Sequence, residues 1–149
     1  MIKKKENVIQ SQILSFLKIR KIAHNRVNNG QFYVSEDTTD KYGNRRRRRR
    51  VVRCNSMNGI SDIVVYGFIE LENGSKVHSP IYLEVKSQTG RQSQHQKDFE
   101  KLVVGGGGFY FIVKSIEDVV RAFRTVEETV RDSTGGKYVI QKTPPRRNL

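Results

Sequence analysis

Ile81-Tyr82-Leu83-Glu84-Val85-Lys86 is an apolar run interrupted by two charges of opposite sign. Its β-branched and aromatic residues predict a strand. Alternate side chains of a strand share a face, so Glu84 and Lys86 project together, about 7 Å apart along the chain. With Ile81, Leu83 and Val85 on the other side, both faces are suited to burial, and a buried charge needs a partner or a task.

Working back from this strand, Ile63-Val64-Val65-Tyr66 reads as a second one, opened by Asp62. Asn73-Gly74 lies between the two and is a turn signal, so the strands are expected to pair antiparallel through it. That pairing sets Asp62 beside Glu84. Two neighbouring carboxylates repel unless a cation lies between them, and hard oxygen ligands favour Mg²⁺, with Mn²⁺ as a substitute. Asp62 and Glu84 are therefore the candidate metal ligands, with the backbone carbonyl of Val85 as a third. Such a metal activates water and neutralises charge on a phosphate, and Lys86 is placed to orient that water or stabilise the transition state.

The rest of the chain supplies a mixed α/β frame. Ile9, Ile13, Leu14, Phe16 and Leu17 recur at helical spacing over residues 6–17, placing Glu6 and Gln10 on one face near the helix start. A loosely alternating stretch ends in the turn signal Asn28-Asn29-Gly30. A polar stretch follows from about Ser35 and rises into six consecutive arginines. After the Glu84 strand, Ser93 and Gln96 form a capping box. The helix they open carries Phe99, Leu102 and Val103. It stops at Gly105, the first of four glycines, and Phe109-Tyr110-Phe111-Ile112-Val113 reads as a buried strand. Ser115 opens a last helix through Val119, Val120, Phe123 and Val126. Helix, strands, helix, strand, helix implies an α/β fold with a small central sheet. One domain is expected over residues 1–132, and residues 133–149 read as a basic, partly ordered tail.

Composition narrows the classes. The chain has 149 residues, enough for one domain, with 28 Lys and Arg against 15 Asp and Glu, a net charge of +13. Such a balance predicts attraction to a polyanion, above all nucleic acid. The one cysteine, Cys54, excludes an intrachain disulfide and cysteine-rich zinc sites, and reads as an inert buried thiol. No apolar run approaches the roughly 20 residues of a membrane span, and the charged start lacks the apolar stretch of a secretory signal. An intracellular, cytoplasmic protein is expected.

The set Asp62…Glu84-Val85-Lys86 resembles the catalytic core of the PD-(D/E)xK nuclease superfamily. More narrowly, the chain resembles the virus-type replication-repair nuclease (VRR-NUC) domains. The residues that carry this likeness are Glu6 and Gln10, Asn29-Gly30, Asn58-Gly59-Ile60-Ser61-Asp62-Ile63, Leu83-Glu84-Val85-Lys86, Thr89-Gly90-Arg91-Gln92-Ser93, and Gln96 with Phe99. It covers roughly residues 6–118. Ser61 stands where the superfamily name has proline, a position that does no chemistry. The resemblance implies a mixed sheet flanked by helices and one or two divalent ions. It also implies that Glu6 assists the metal site and that Gln96 supports it from the following helix. It further implies a homodimer cutting branched DNA such as four-way Holliday junctions, in DNA repair, in the bacterial cytoplasm if phage-encoded.

Bland readings stand beside these. Glu6 suits a helix's first turn, Gln96 has a full explanation as a capping residue, and Gln10 is an ordinary solvated position. Arg45, Arg46, Arg47, Arg48, Arg49, Arg50 and Arg53 can grip phosphates, each contact steepening the salt dependence, or form a disordered basic loop. Arg91 and Lys97, beside the site helix, are further phosphate candidates. Gly105 to Gly108 lack the Gly-Lys-Ser/Thr ending of a phosphate loop. His24, His78 and His95 show no metal-ligand spacing. Two rivals to a junction nuclease remain: a non-catalytic basic DNA-binding module, and a restriction-type nuclease of the same fold.

Overall fold

A computed structural model of the chain describes residues 5–27, 31–53 and 59–145. The expected Asn28-Asn29-Gly30 turn, Cys54 and Asn58 lie outside them. The described residues form a mixed α/β fold, with three helices and three small sheets among them. The helix expected from Glu6 is α1 (Glu6–Ile19), which buries Ile9, Ile13 and Leu17, one face of the helical repeat. Short β1 (His24–Arg26) follows.

The site is organised by a four-stranded sheet of order β1-β4-β7-β8, in which β4 is Ile63–Val65, β7 is Ile81–Val85 and β8 is Phe109–Val113. β4 pairs antiparallel with β7, setting Ile63 opposite Leu83, while β8 runs parallel to β7. The expected antiparallel pairing is therefore present, but Asn73-Gly74 does not make it. That turn instead closes β5 (Gly67–Glu70) onto β6 (Lys76–His78), a hairpin inserted between the paired strands.

Ile63, Val65, Ile81, Leu83, Val85 and Val113 form the core with the buried residues of α1 and of α3 (Ile116–Thr134). Tyr82 and Glu84 alternate to the other face. There the ring of Phe99, from α2 (Gln94–Gly105), meets Tyr82 and Tyr110 edge-on at 5.4 and 6.1 Å. Of the apolar residues expected on α2, Phe99 is the buried one and Leu102 is exposed.

Two stretches differ from their sequence reading. The arginine run is no loop. It lies on β3 (Arg45–Arg53), paired residue for residue with β2 (Gln31–Thr39) in a two-stranded ribbon. The stretch expected as a tail contains β9 (Lys137–Ile140), which pairs with β5. Tyr138 is buried in the main core, its hydroxyl donating to the Ser79 carbonyl at 2.6 Å. An aromatic ring buried there adds roughly 2 kcal/mol or more of apolar burial, so the structured domain continues past residue 132. No helix among the described residues is long and apolar enough to cross a membrane.

Candidate functional site

Asp62 immediately precedes β4, so the register that pairs Ile63 with Leu83 carries it alongside Glu84. Its Oδ2 accepts the Val85 amide at 2.8 Å. This one bond ties the loop before β4 to the strand bearing Glu84. Burial raises the Asp62 carboxyl above its ordinary range, with the Val85 amide and the Lys86 charge working against it. The Val85 side chain is fully buried, and its amide is committed to Asp62.

Glu84 is fully buried, and Lys86 only 6% exposed. Lys86 lies one residue past the end of β7, yet its amide still donates to the Val113 carbonyl at 3.0 Å, so it keeps the strand's geometry. Its Nζ stands 2.7 Å from Oε1 of Glu84 and 3.9 Å from Oε1 of Glu6, the half-exposed first residue of α1. Gln96 donates its side-chain amide to the same Glu84 oxygen. The other oxygen, Oε2, is buried without a hydrogen-bond partner. Burial, reinforced by the charges of Asp62 and Glu6, pushes the Glu84 carboxyl up to about 7 despite the neighbouring ammonium.

Gln96 has two duties at once. It completes the capping box of α2, accepting the Ser93 amide at 2.8 Å while its own amide donates to the Ser93 hydroxyl at 3.3 Å. Its amide nitrogen meanwhile reaches Glu84. The cap thus fixes the rotamer that touches the buried carboxylate. Gly59 fixes the helix from outside. It has φ +79, and a Cβ there would collide with the His95 carbonyl and crowd the Gln96 amide nitrogen. The loop leading to Asp62 can approach α2 only through a residue without a side chain.

The structure therefore gathers Asp62, Glu84, Val85, Lys86, Gln96 and Glu6 at one end of the sheet. The fit to a divalent cation rests on two observations. An orphaned buried carboxylate oxygen is a vacant acceptor, and two carboxylates whose proton affinity burial has raised have lost solvation that a bound cation would replace. Against a ready-made cage, no group of three or more His, Cys, Asp or Glu among the described residues is arranged to hold an ion. Glu84 and Glu6 converge on the Lys86 ammonium instead. Asp62 and Glu84 are the two residues that could hold an ion, with Glu6 near them across Lys86.

A cleft of about 650 Å³ opens beside Lys86 and is lined by Arg91, Lys97, Lys114, Arg121 and Asp118 among others. Asp118 is occupied on both oxygens, by the Lys114 amide and by Arg121. Arg91 and Lys97 were expected near the site. Lys114 and Arg121 were not, because the parallel pairing that brings the end of β8 next to Lys86 has no local sequence signal. The arginines of β3 lie outside this cleft, on the ribbon. His24 bonds its own loop at the Ile22 carbonyl, 2.7 Å away, and His78 stacks on Tyr66, as structural residues do.

No known protein family, characterised protein or solved structure matches the chain. Its function rests on this geometry.

Proposed function

We propose that the protein is a divalent-metal-dependent DNA endonuclease of the PD-(D/E)xK type, related to the VRR-NUC domains and acting on branched DNA such as four-way junctions. The observation that carries this reading is the orphaned, fully buried Glu84, 2.7 Å from the Lys86 ammonium, with Asp62 tied by the Val85 amide to the same strand. A carboxylate is costly to bury, and a structural ion pair would satisfy both its oxygens.

Asp62 and Glu84 would hold the ion, with Glu6 and the Val85 carbonyl completing its shell. When bound, Mg²⁺ or Mn²⁺ supplies an activated water and charge neutralisation at the scissile phosphate. Lys86 acts from the chain itself. Its ammonium borders the basic cleft, where it can donate to a phosphate oxygen or steer the attacking water. Gln96 anchors the Glu84 oxygen that Lys86 shares, leaving the carboxylate's second oxygen as the one that would meet the ion. Arg91, Lys97 and Lys114 draw the phosphate backbone toward the cleft. A homodimer would present two such sites to a two-fold symmetric junction.

One observation favours a non-catalytic basic binder: among the described residues no three potential ligands stand in a ready-made metal cluster. The two readings separate in one assay. Labelled four-way junction, flap and linear duplex DNA are incubated with Mg²⁺, with EDTA, and with the Lys86→Ala variant. Cleavage of the junction that needs Mg²⁺ and Lys86 is expected. Equal cutting by both proteins, or by neither, rejects the nuclease. A preference for a defined linear sequence would make it a restriction-type enzyme.

A further inference from the structure

Among the described residues the β2–β3 ribbon joins no other sheet. Nine register pairs at about 3.4 Å per residue give an arm roughly 30 Å long. Its tip is ordered by Asp40, whose Oδ1 accepts the amides of Tyr42 and Asn44 at 2.9 Å while Gly43 turns the chain at φ +83. Residues directly opposite in an antiparallel pair share a face. One face therefore carries Arg46, Arg48 and Arg50 with Thr38, Glu36 and Val34, and the other Arg45, Arg47 and Arg49 with Thr39, Asp37 and Ser35.

The two faces differ in charge. On the first, Arg50 pairs with Glu36 at 3.4 Å and Arg46 with Asp40 at 3.5 Å. On the second, Arg45, Arg47 and Arg49 form no ion pair among the described residues, and Asp37 is the one acid beside them. A two-stranded ribbon standing alone is marginally stable, and packed like charges weaken it further. Contact with a polyanion removes that repulsion. The major groove of B-form DNA admits a two-stranded ribbon of this kind, whereas the deep, narrow groove of duplex RNA does not. The chain leaves β1 toward the arm beside Asp62, whose backbone carbonyl accepts the Val27 amide at 2.8 Å.

We propose that this ribbon is a DNA-gripping arm that lies in the groove of a duplex and meets the phosphates through Arg45, Arg47 and Arg49. The inference shares with the nuclease reading only the partner, DNA, and needs no hydrolysis. It is tested in EDTA by fluorescence anisotropy with a 24-base-pair duplex across about 50 to 200 mM salt. The variants are the triple changes Arg45→Gln/Arg47→Gln/Arg49→Gln and Arg46→Gln/Arg48→Gln/Arg50→Gln. Each lost phosphate contact flattens the log–log salt slope by about 0.9, so the first variant loses about 2.7 and the second about 1 or less. Replacing the first three by lysine keeps the slope, which separates lost charge from a damaged ribbon. Equal losses in the two glutamine variants overturn the proposal, as does no loss in either, or a slope lost in the lysine variant. Tighter binding of single strands than of duplex also overturns it. So does a dimer that dissociates in the first variant while its DNA slope is unchanged, which would make the arm a self-association surface. Failure to cleave with intact binding counts against the nuclease alone.

Discussion

Glu84 is an uncomfortably buried carboxylate: one oxygen is shared by Lys86 and Gln96, and the other has no hydrogen-bond partner among the described residues. Its carboxyl is pushed from an ordinary 4.5 up to about 7, first by burial. The folded protein thus holds this proton more tightly than the unfolded chain. Its contribution to stability is full below pH 4.5 and is lost as pH rises to about 7. Asp62, also raised, adds in the same sense. Thermal unfolding of the metal-free protein is expected to show a Tm that falls between pH 5 and 7.5, and Glu84→Gln should flatten that fall. A wild-type Tm that climbs across this window would contradict the assignment of the orphaned oxygen. At Lys86 the prediction concerns rate. Lys86→Met keeps the stem that packs in the site but removes its charge, and junction cleavage should drop by about 10²-fold or more, the scale of losing one transition-state donor. A variant within a few-fold of wild type would reduce Lys86 to a structural counter-ion.

Between elements, the site depends on how α2 is seated. Ser93→Ala should cost about 1 kcal/mol in urea unfolding, the usual worth of a cap. Gln96→Ala should cost at least as much and also lower cleavage, because that side chain serves both the cap and Glu84. If Ser93→Ala and Gln96→Ala alter activity equally, Gln96 acts on the site only through the helix. Gly59→Ala places a methyl into the His95 carbonyl at a positive φ, so a loss of about 1–3 kcal/mol is expected. These elements differ in how openly the sequence declares them. The Ser93–Gln96 box is local, three residues apart, and could be read directly. The strands of Asp62 and Glu84 were legible from β-branched and aromatic residues, and the carboxylates from their places on them. The Asn73-Gly74 signal says that the chain reverses and not which strands it joins, and it closes β5 onto β6 instead of β4 onto β7. The arginine run concealed β3, because its side chains carry no alternation of apolar and polar, and only pairing with β2 makes it a strand.

At the scale of the molecule, the last strand ties the small sheet to the core. Tyr138 packs edge-on against Phe109 at 6.0 Å and lies beneath Gly67, where any side chain would strike its ring. A chain ending at Thr134 is therefore expected to lose cooperative unfolding, whereas one ending at Thr143 should melt within a few degrees of the full protein. Equal Tm values for the two would show that β9 is dispensable. Nothing in residues 133–149 announces this role beyond the short apolar run Tyr138-Val139-Ile140, set among polar residues, glycines and prolines. The charge of +13 spreads over ribbon and cleft, so it foretells an anionic partner without showing that two separate surfaces can meet it. On the nuclease proposal, what would turn such a binder into an enzyme is an ion between Asp62 and Glu84. Titration of the protein with Mn²⁺, followed by the loss of the free ion's electron paramagnetic resonance signal, tests this directly. Saturable binding is predicted for the wild type, abolished in Asp62→Asn and in Glu84→Gln while their circular dichroism is unchanged. Binding that survives both substitutions, or none in the wild type at millimolar Mn²⁺, would contradict the account.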